Sequence, residues 1–165
     1  MNEETSNIDN GDLDLTGVVL SPPVFDKQTR RCITGQVRRV KNGDKLELEI
    51  PLRLDEPAMD TNGKEHQVGA MVGTQRILMT PTGGLTMDII KEKLARFQAA
   101  VLDIDEPRKW GNDADYQGKP VYCRLEAEPK KGDPTVVYQR VAGWVSVSRA
   151  AKAAAASAGS GSATL

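Results

Sequence analysis

The sequence predicts a mainly β domain with five short antiparallel strands, one helix between the third and fourth, and flexible segments at both ends. Three observations lead there. Leu46, Leu48, Ile50, Leu52 and Leu54 alternate with Lys45, Glu47, Glu49, Pro51 and Arg53, the two-residue period of a half-buried strand. Ile90, Leu94, Phe97 and Val101 recur at three- and four-residue spacing, a single apolar stripe on a helix. Turn residues punctuate the rest, notably Asn42-Gly43, Asn62-Gly63, Gly83-Gly84 and Gly132-Asp133.

In chain order, residues 1–17 form an acidic leader. Residues 1–20 carry Glu3, Glu4, Asp9, Asp12 and Asp14 with no Lys or Arg, leaving 22 basic against 18 acidic residues, net +4, in the remainder. Such a stretch buries too little apolar surface to offset the entropy of ordering it. The foldable domain is residues 18–148. Its first strand spans 32–41 and turns through Asn42-Gly43 into the second, 45–54, as a hairpin. Pro51 marks a bulge or edge position there. After a polar stretch, the third strand spans 68–80. Ala70, Val72 and Leu78 compete with Met71, Ile77 and Met79 for the inward parity, and Gly69 and Gly73 suggest a bulge that switches it.

Thr86 is placed to cap the helix 87–102, with Asp88 in its first turn and Glu92 and Arg96 paired on its wet face. A long polar loop, 103–118, leads to strands 119–128 and 135–147. The tail, 149–165, starts as an alanine-rich helix that the Gly/Ser alternation releases. This order matches the five-stranded Greek-key barrel called the OB-fold, in which closing the sheet removes exposed edges. A small open α+β sheet and an SH3-like barrel are the competing arrangements.

Composition excludes several functions. The 165 residues suit one domain, and no apolar run reaches the ~20 residues of a membrane span. The first residues lack the basic and apolar regions of a secretory signal, so a cytoplasmic location is expected. Cys32 and Cys123 supply neither a disulfide framework nor a zinc site, and read as buried strand residues. His66 is the sole histidine, in a polar turn without partners for acid–base or metal chemistry. Thr82-Gly83-Gly84 lacks the Gly-Lys-Ser/Thr ending of a phosphate loop. The segment 113–118 opens like a calcium loop, but its twelfth position is Arg124 where a Glu is needed. No enzyme, metal or cofactor is expected.

The last two strands are more informative. Parity puts Val121, Cys123 and Leu125 on one face and Tyr122 and Arg124 on the other. In the fifth strand, Val137, Val141 and Val145 oppose Tyr138, Arg140 and Trp144. A register with Arg124 near Tyr138 and Tyr122 near Arg140 gives a checkerboard of rings and guanidiniums. Single-stranded nucleic acid suits such a surface, because bases stack on rings while arginines neutralise phosphates. Lys130, Lys131, Arg38, Arg39 and Trp110 extend the strip. The competing reading is packing, with Trp144 as a plug at the barrel mouth.

The residues Gly118-Lys119-Pro120-Val121-Tyr122 and Val137-Tyr138-Gln139-Arg140-Val141-Ala142-Gly143-Trp144 resemble the last hairpin of phage-encoded OB-fold single-stranded DNA-binding proteins. There a Gly-Lys pair opens the fourth strand and an Asn/Gln-Arg-Val-x-Gly-aromatic stretch closes the fifth. The likeness covers about residues 31–147 in layout and is sharp over some twenty. It implies sequence-nonspecific binding and protection of single-stranded DNA during phage replication or recombination, in the host cytoplasm. The chain departs from cellular relatives of that class in carrying its acidic segment at the start and none at the end. The partner expected is single-stranded nucleic acid, with homo-oligomers left open and no membrane or small-molecule substrate. The rival function is a structural or adaptor protein, such as a virion or assembly component, using residues 149–158 as an oligomerisation helix.

Overall fold

The computed structural model describes residues 13–59, 63–130 and 132–164, with backbone alone for 128–130, 134–138 and 157–164. It is mainly β, an antiparallel sheet with two α-helices. Strand β1 (Thr29–Thr34) and strand β2 (Arg38–Asn42) lie end to end along one edge of β3 (Lys45–Leu54). The single first strand expected from sequence is therefore two. Pro51 explains the break, since it has no N–H to offer a ladder. Its carbonyl instead accepts the Gly35 amide at 2.8 Å, and a Cβ on Gly35 would stand 3.2 Å from Pro51 Cβ.

The β2–β3 turn is the residue pair Gly43-Asp44, one position later than expected, because Asn42 pairs with Lys45. Gly43 has φ 69° while Asp44 keeps a negative φ, so only the first turn position needs glycine, as in a type II′ turn. A small hairpin, β4 (Ala58–Met59) with β5 (Glu65–His66), precedes β6 (Met71–Leu78), which pairs with the other edge of β3. The bulge expected in this strand is present. Leu52 faces Gly73 while Arg53 faces Met71, so Ile77 and Met79 are buried and Val72 and Ala70 reach the core beyond the bulge.

Helix α1 (Met87–Leu102) has the predicted bounds and cap, with Thr86 Oγ1 accepting the Ile89 amide at 3.3 Å. Its stripe Ile90, Leu94, Phe97 and Val101 is buried, each side chain contributing about 1.5–3 kcal/mol. Strand β7 (Pro120–Lys130) pairs with β1 and with β8 (Asp133–Val145), and helix α2 (Val147–Thr164) closes the described chain. Asp103, in the left-handed conformation after α1, accepts Ser148 N at 3.3 Å and Ser148 Oγ at 2.5 Å, fastening the start of α2. Helix α2 continues past the Gly/Ser residues expected to end it. Its anchored first turn and alanine run propagate the backbone ladder through weaker helix formers.

The leader also departs from expectation. Leu13 and Leu15 are buried, and Trp110 N donates to Leu13 O at 2.8 Å. Glu3, Glu4, Asp9 and Asp12 lie outside the described residues. Among the described residues, no helix is long and apolar enough to cross a membrane.

The sheet is not closed by backbone pairing: among the described strands β2, β6 and β8 each pair on one side alone, and β6 and β8 face each other across the opening. One side chain spans them. Gln75 Nε2 donates to Gln139 O at 3.2 Å, and Val141 N donates to Gln75 Oε1 at 3.1 Å. An amide offers one donor and one acceptor, as a peptide group does, so Gln75 substitutes for a rung of ladder.

Candidate nucleic-acid interface

The hairpin β7–β8 does not form the expected checkerboard. Tyr122 faces Val145, Arg124 faces Gly143, Glu126 faces Arg140 and Glu128 faces Tyr138. A bulge opposite Arg124 and Leu125 leaves Ala142 unpaired and reverses the parity of β8. Val141 and Trp144 therefore both turn inward, and Val145, paired with Tyr122, takes the other side of the sheet, where it is covered and only 1% exposed. Trp144 meets Phe97 edge-on at 4.9 Å between ring centroids. It packs, as the competing reading had it.

Trp110 is also in the core, 1% exposed and stacked on Tyr116 at 4.1 Å. Its indole N–H donates to Asp113 Oδ1 at 2.8 Å, and Arg39 Nη2 reaches the same oxygen at 3.1 Å. Trp110 cannot stack on a base in this arrangement, and Arg39, with 11% of its side chain exposed, braces the loop. Both depart from the expected strip for one reason. The polar-looking loop 103–118 sends Pro107, Trp110 and Tyr116 into the core, and fully buried Gln98 satisfies the backbone at Arg108 by accepting Arg108 N at 2.9 Å and donating to Arg108 O at 3.0 Å. Burial pushes the Tyr116 hydroxyl up to about 12, and this hydroxyl donates to Trp110 O.

What remains outward is a row of arginines separated by glutamates. On β2, β3 and β6, Arg38, Glu49 and Arg76 are direct register partners. Glu49 accepts Arg38 Nε at 3.1 Å and Arg76 Nη2 at 3.2 Å. On β7 and β8, Glu126 accepts Arg124 Nη1 at 2.6 Å and Arg140 Nη2 at 2.7 Å. Arg76 and Arg140 adjoin, in sequence, the groups that Gln75 ties across the seam. The two Arg–Glu–Arg rows thus meet where the sheet is open.

A groove of about 1090 Å³ follows this seam. Its walls are residues 16–24, one side of α1, the seam segments of β6 and β8, and the loop after α1. Six basic residues line it (Arg76, Lys93, Arg96, Arg124, Arg140 and Arg149) against the carboxylates Glu92, Asp105 and Glu106. Arg96 pairs with Glu92 at 3.4 Å and Arg149 with Asp105 at 3.6 Å. The Arg76 and Arg140 side chains are each 55% exposed, so their ion pairs are worth only about 0–1 kcal/mol and yield readily to a phosphate.

Of the predicted residues, the structure brings Arg124, Arg140 and Arg38 into these rows. Tyr122 stays near them, half-buried, with the Phe25 ring against it at 5.7 Å and 64°. The side chains of Tyr138 and Lys130, and all of Lys131, lie outside the described residues. Sequence reasoning missed Arg76, Glu126 and Gln75, whereas Glu49 was legible as an outward carboxylate on the second strand that weighs against binding there. Arg76 was legible as an outward residue beside the inward Ile77, but its approach to Arg140 depends on the seam. Comparison with protein-family models and with curated proteins gives no match.

Proposed function

We propose that the protein binds single-stranded nucleic acid through the phosphate backbone, without base readout, along the groove at the β6–β8 seam. The observation that carries this reading is the pair of Arg–Glu–Arg rows converging on the groove, with Arg38, Arg76, Arg140 and Arg124 spaced across the outer sheet face. Counted as one strand, β1 and β2 with β3, β6, β7 and β8 reproduce the strand sequence of an OB-fold-like barrel. In this reading Gln75 stands in for the missing ladder. The β7–β8 hairpin motifs that resemble phage single-stranded DNA-binding proteins support the same function, protection during replication or recombination. Electrostatics carries more of the binding than stacking does, since Trp110 and Trp144 are taken up by packing.

The test is fluorescence anisotropy with a labelled oligothymidylate, at two salt concentrations. Four phosphate contacts on a single strand predict that affinity falls roughly 50-fold between 50 and 200 mM salt. Absence of binding at the lower salt, or binding indifferent to salt, refutes the reading. One observation favours an adaptor role instead: Ala151 and Ala154–Ala156 on α2 are exposed. Light scattering that gives an oligomer dissolved by Ala154→Glu, together with no oligonucleotide binding, selects that alternative.

A further inference from the structure

We infer that residues 16–26 form a strap that competes with nucleic acid for Arg124, so that binding and strap release are linked. The inference rests on the nucleic-acid reading above. The strap is tied at both ends. Before it, Leu13 and Leu15 are buried and Leu15 N donates to Arg108 O at 3.4 Å. After it, Asp26 Oδ2 accepts Arg124 Nε at 2.9 Å, and Asp26 Oδ1 accepts Gln28 N at 2.9 Å.

Between those ties the strap is loosely held. The backbone of residues 19–24 makes no hydrogen bond to a described residue. Its polar attachment to the body is Arg96 Nη2 to Ser21 Oγ at 3.3 Å. Val18 and Leu20 pack partly on the core, whereas Val19 and Val24 are 86% and 60% exposed. Pro22 and Pro23 suit this course, having no N–H to satisfy and a fixed φ that keeps the chain extended.

The contact at Arg124 is what makes the strap a competitor. All three guanidinium nitrogens are engaged. Nη1 goes to Glu126, and Nη2 goes to Gln28 Oε1 at 2.7 Å. Asp26 and Gln28 thus fill the Nε–Nη2 edge, the fork on which a phosphate places two oxygens. Both belong to the turn that ends the strap. A phosphate on that edge displaces an oxygen of like charge, and the Asp26 tie opens as it arrives. By linkage, whatever weakens that tie strengthens binding.

The test uses the full chain, a labelled oligothymidylate, and the variants Asp26→Asn and Asp44→Asn. Asparagine keeps an acceptor for Gln28 N, so the turn persists. Asp44 lies in the β2–β3 turn and controls for the bare change of charge. At low salt Asp26→Asn binds about two- to five-fold tighter than Asp44→Asn, the range expected for an exposed ion pair. In wild type the backbone N–H order parameters of Val19, Leu20, Ser21, Val24 and Phe25 also fall when oligonucleotide saturates the protein, because the freed segment moves more widely. Binding only by Asp26→Asn supports both strap and groove. If wild type binds but the two variants agree, or those order parameters are unchanged on binding, the strap is refuted and the groove stands. If no form binds, the nucleic-acid reading falls and takes the strap with it.

Discussion

Replacing Gln75 by Met removes the amide that bridges β6 and β8 while leaving nearly the same side-chain volume. Gln75 pairs with buried Ile50 across β3, so its stem stays packed in either variant. Two neutral hydrogen bonds disappear, to Gln139 O and from Val141 N. At about 1 kcal/mol each, and with both backbone groups left part-buried, the loss comes to roughly 2 kcal/mol. For a chain of this size that lowers the melting temperature by about 4–8 °C. Urea unfolding followed by tryptophan fluorescence measures the loss, because Trp144 sits beside the seam and Trp110 in the core. Exchange of the Val141 amide then locates the damage, rising at least ten-fold relative to amides in β3. A variant within 0.5 kcal/mol of wild type, with Val141 protected as before, refutes the view that one side chain holds the sheet edges together.

Arg76→Gln with Arg140→Gln lowers oligonucleotide affinity at low salt and makes the slope of log affinity against log salt shallower by about 1.4, two phosphate contacts on a single strand. An unchanged slope removes these residues from the site. Trp110→Ala destabilises by about 3–5 kcal/mol in urea, as a large buried ring should, yet leaves the affinity of the folded fraction unchanged. Selective loss of binding instead returns Trp110 to the interface. Gln98→Leu takes the acceptor from Arg108 N and one of two donors from Arg108 O at a part-buried site, a loss of about 1–3 kcal/mol by denaturation. Tyr116 makes stability fall in alkali. The unfolded side chain ionises near pH 10 while the folded one stays neutral to about 12. Its contribution is therefore full below pH 10 and is lost, by roughly 3 kcal/mol, as pH rises through 12. Tyr116→Phe flattens that decline in urea titrations at pH 9 and 11.5.

Periodicity made helix α1 and strand β3 legible, because each has one face against the core and the repeat of apolar residues records that face directly. Gly73 announced the bulge in β6 for a similar local reason. Strand β8 was harder. Its bulge at Ala142 carries no glycine at the unpaired position, so parity counted through it placed Trp144 on the outer face. The loop 103–118 read as polar, and most of its residues are exposed, but the turn of Trp110 and Tyr116 into the core was not legible. Gln98, in the adjoining helix, gives the inward-turned backbone its hydrogen bonds, and no pattern of hydrophobicity reports a polar residue with that role.

By itself the amino-acid sequence determined the strand periods, the capped helix, the acidic start and the presence of Arg124 and Arg140 on one hairpin. Those are local properties, set by steric preference and by the face each residue turns to water. Only the tertiary structure decided which arginines share a surface, since Arg76 and Arg140 are 64 residues apart and line one groove on the two sides of a seam held by Gln75. It also decided which carboxylates hold them. Pairing energies of this kind depend on distance and solvent exposure, and both exist only once the sheet has curved.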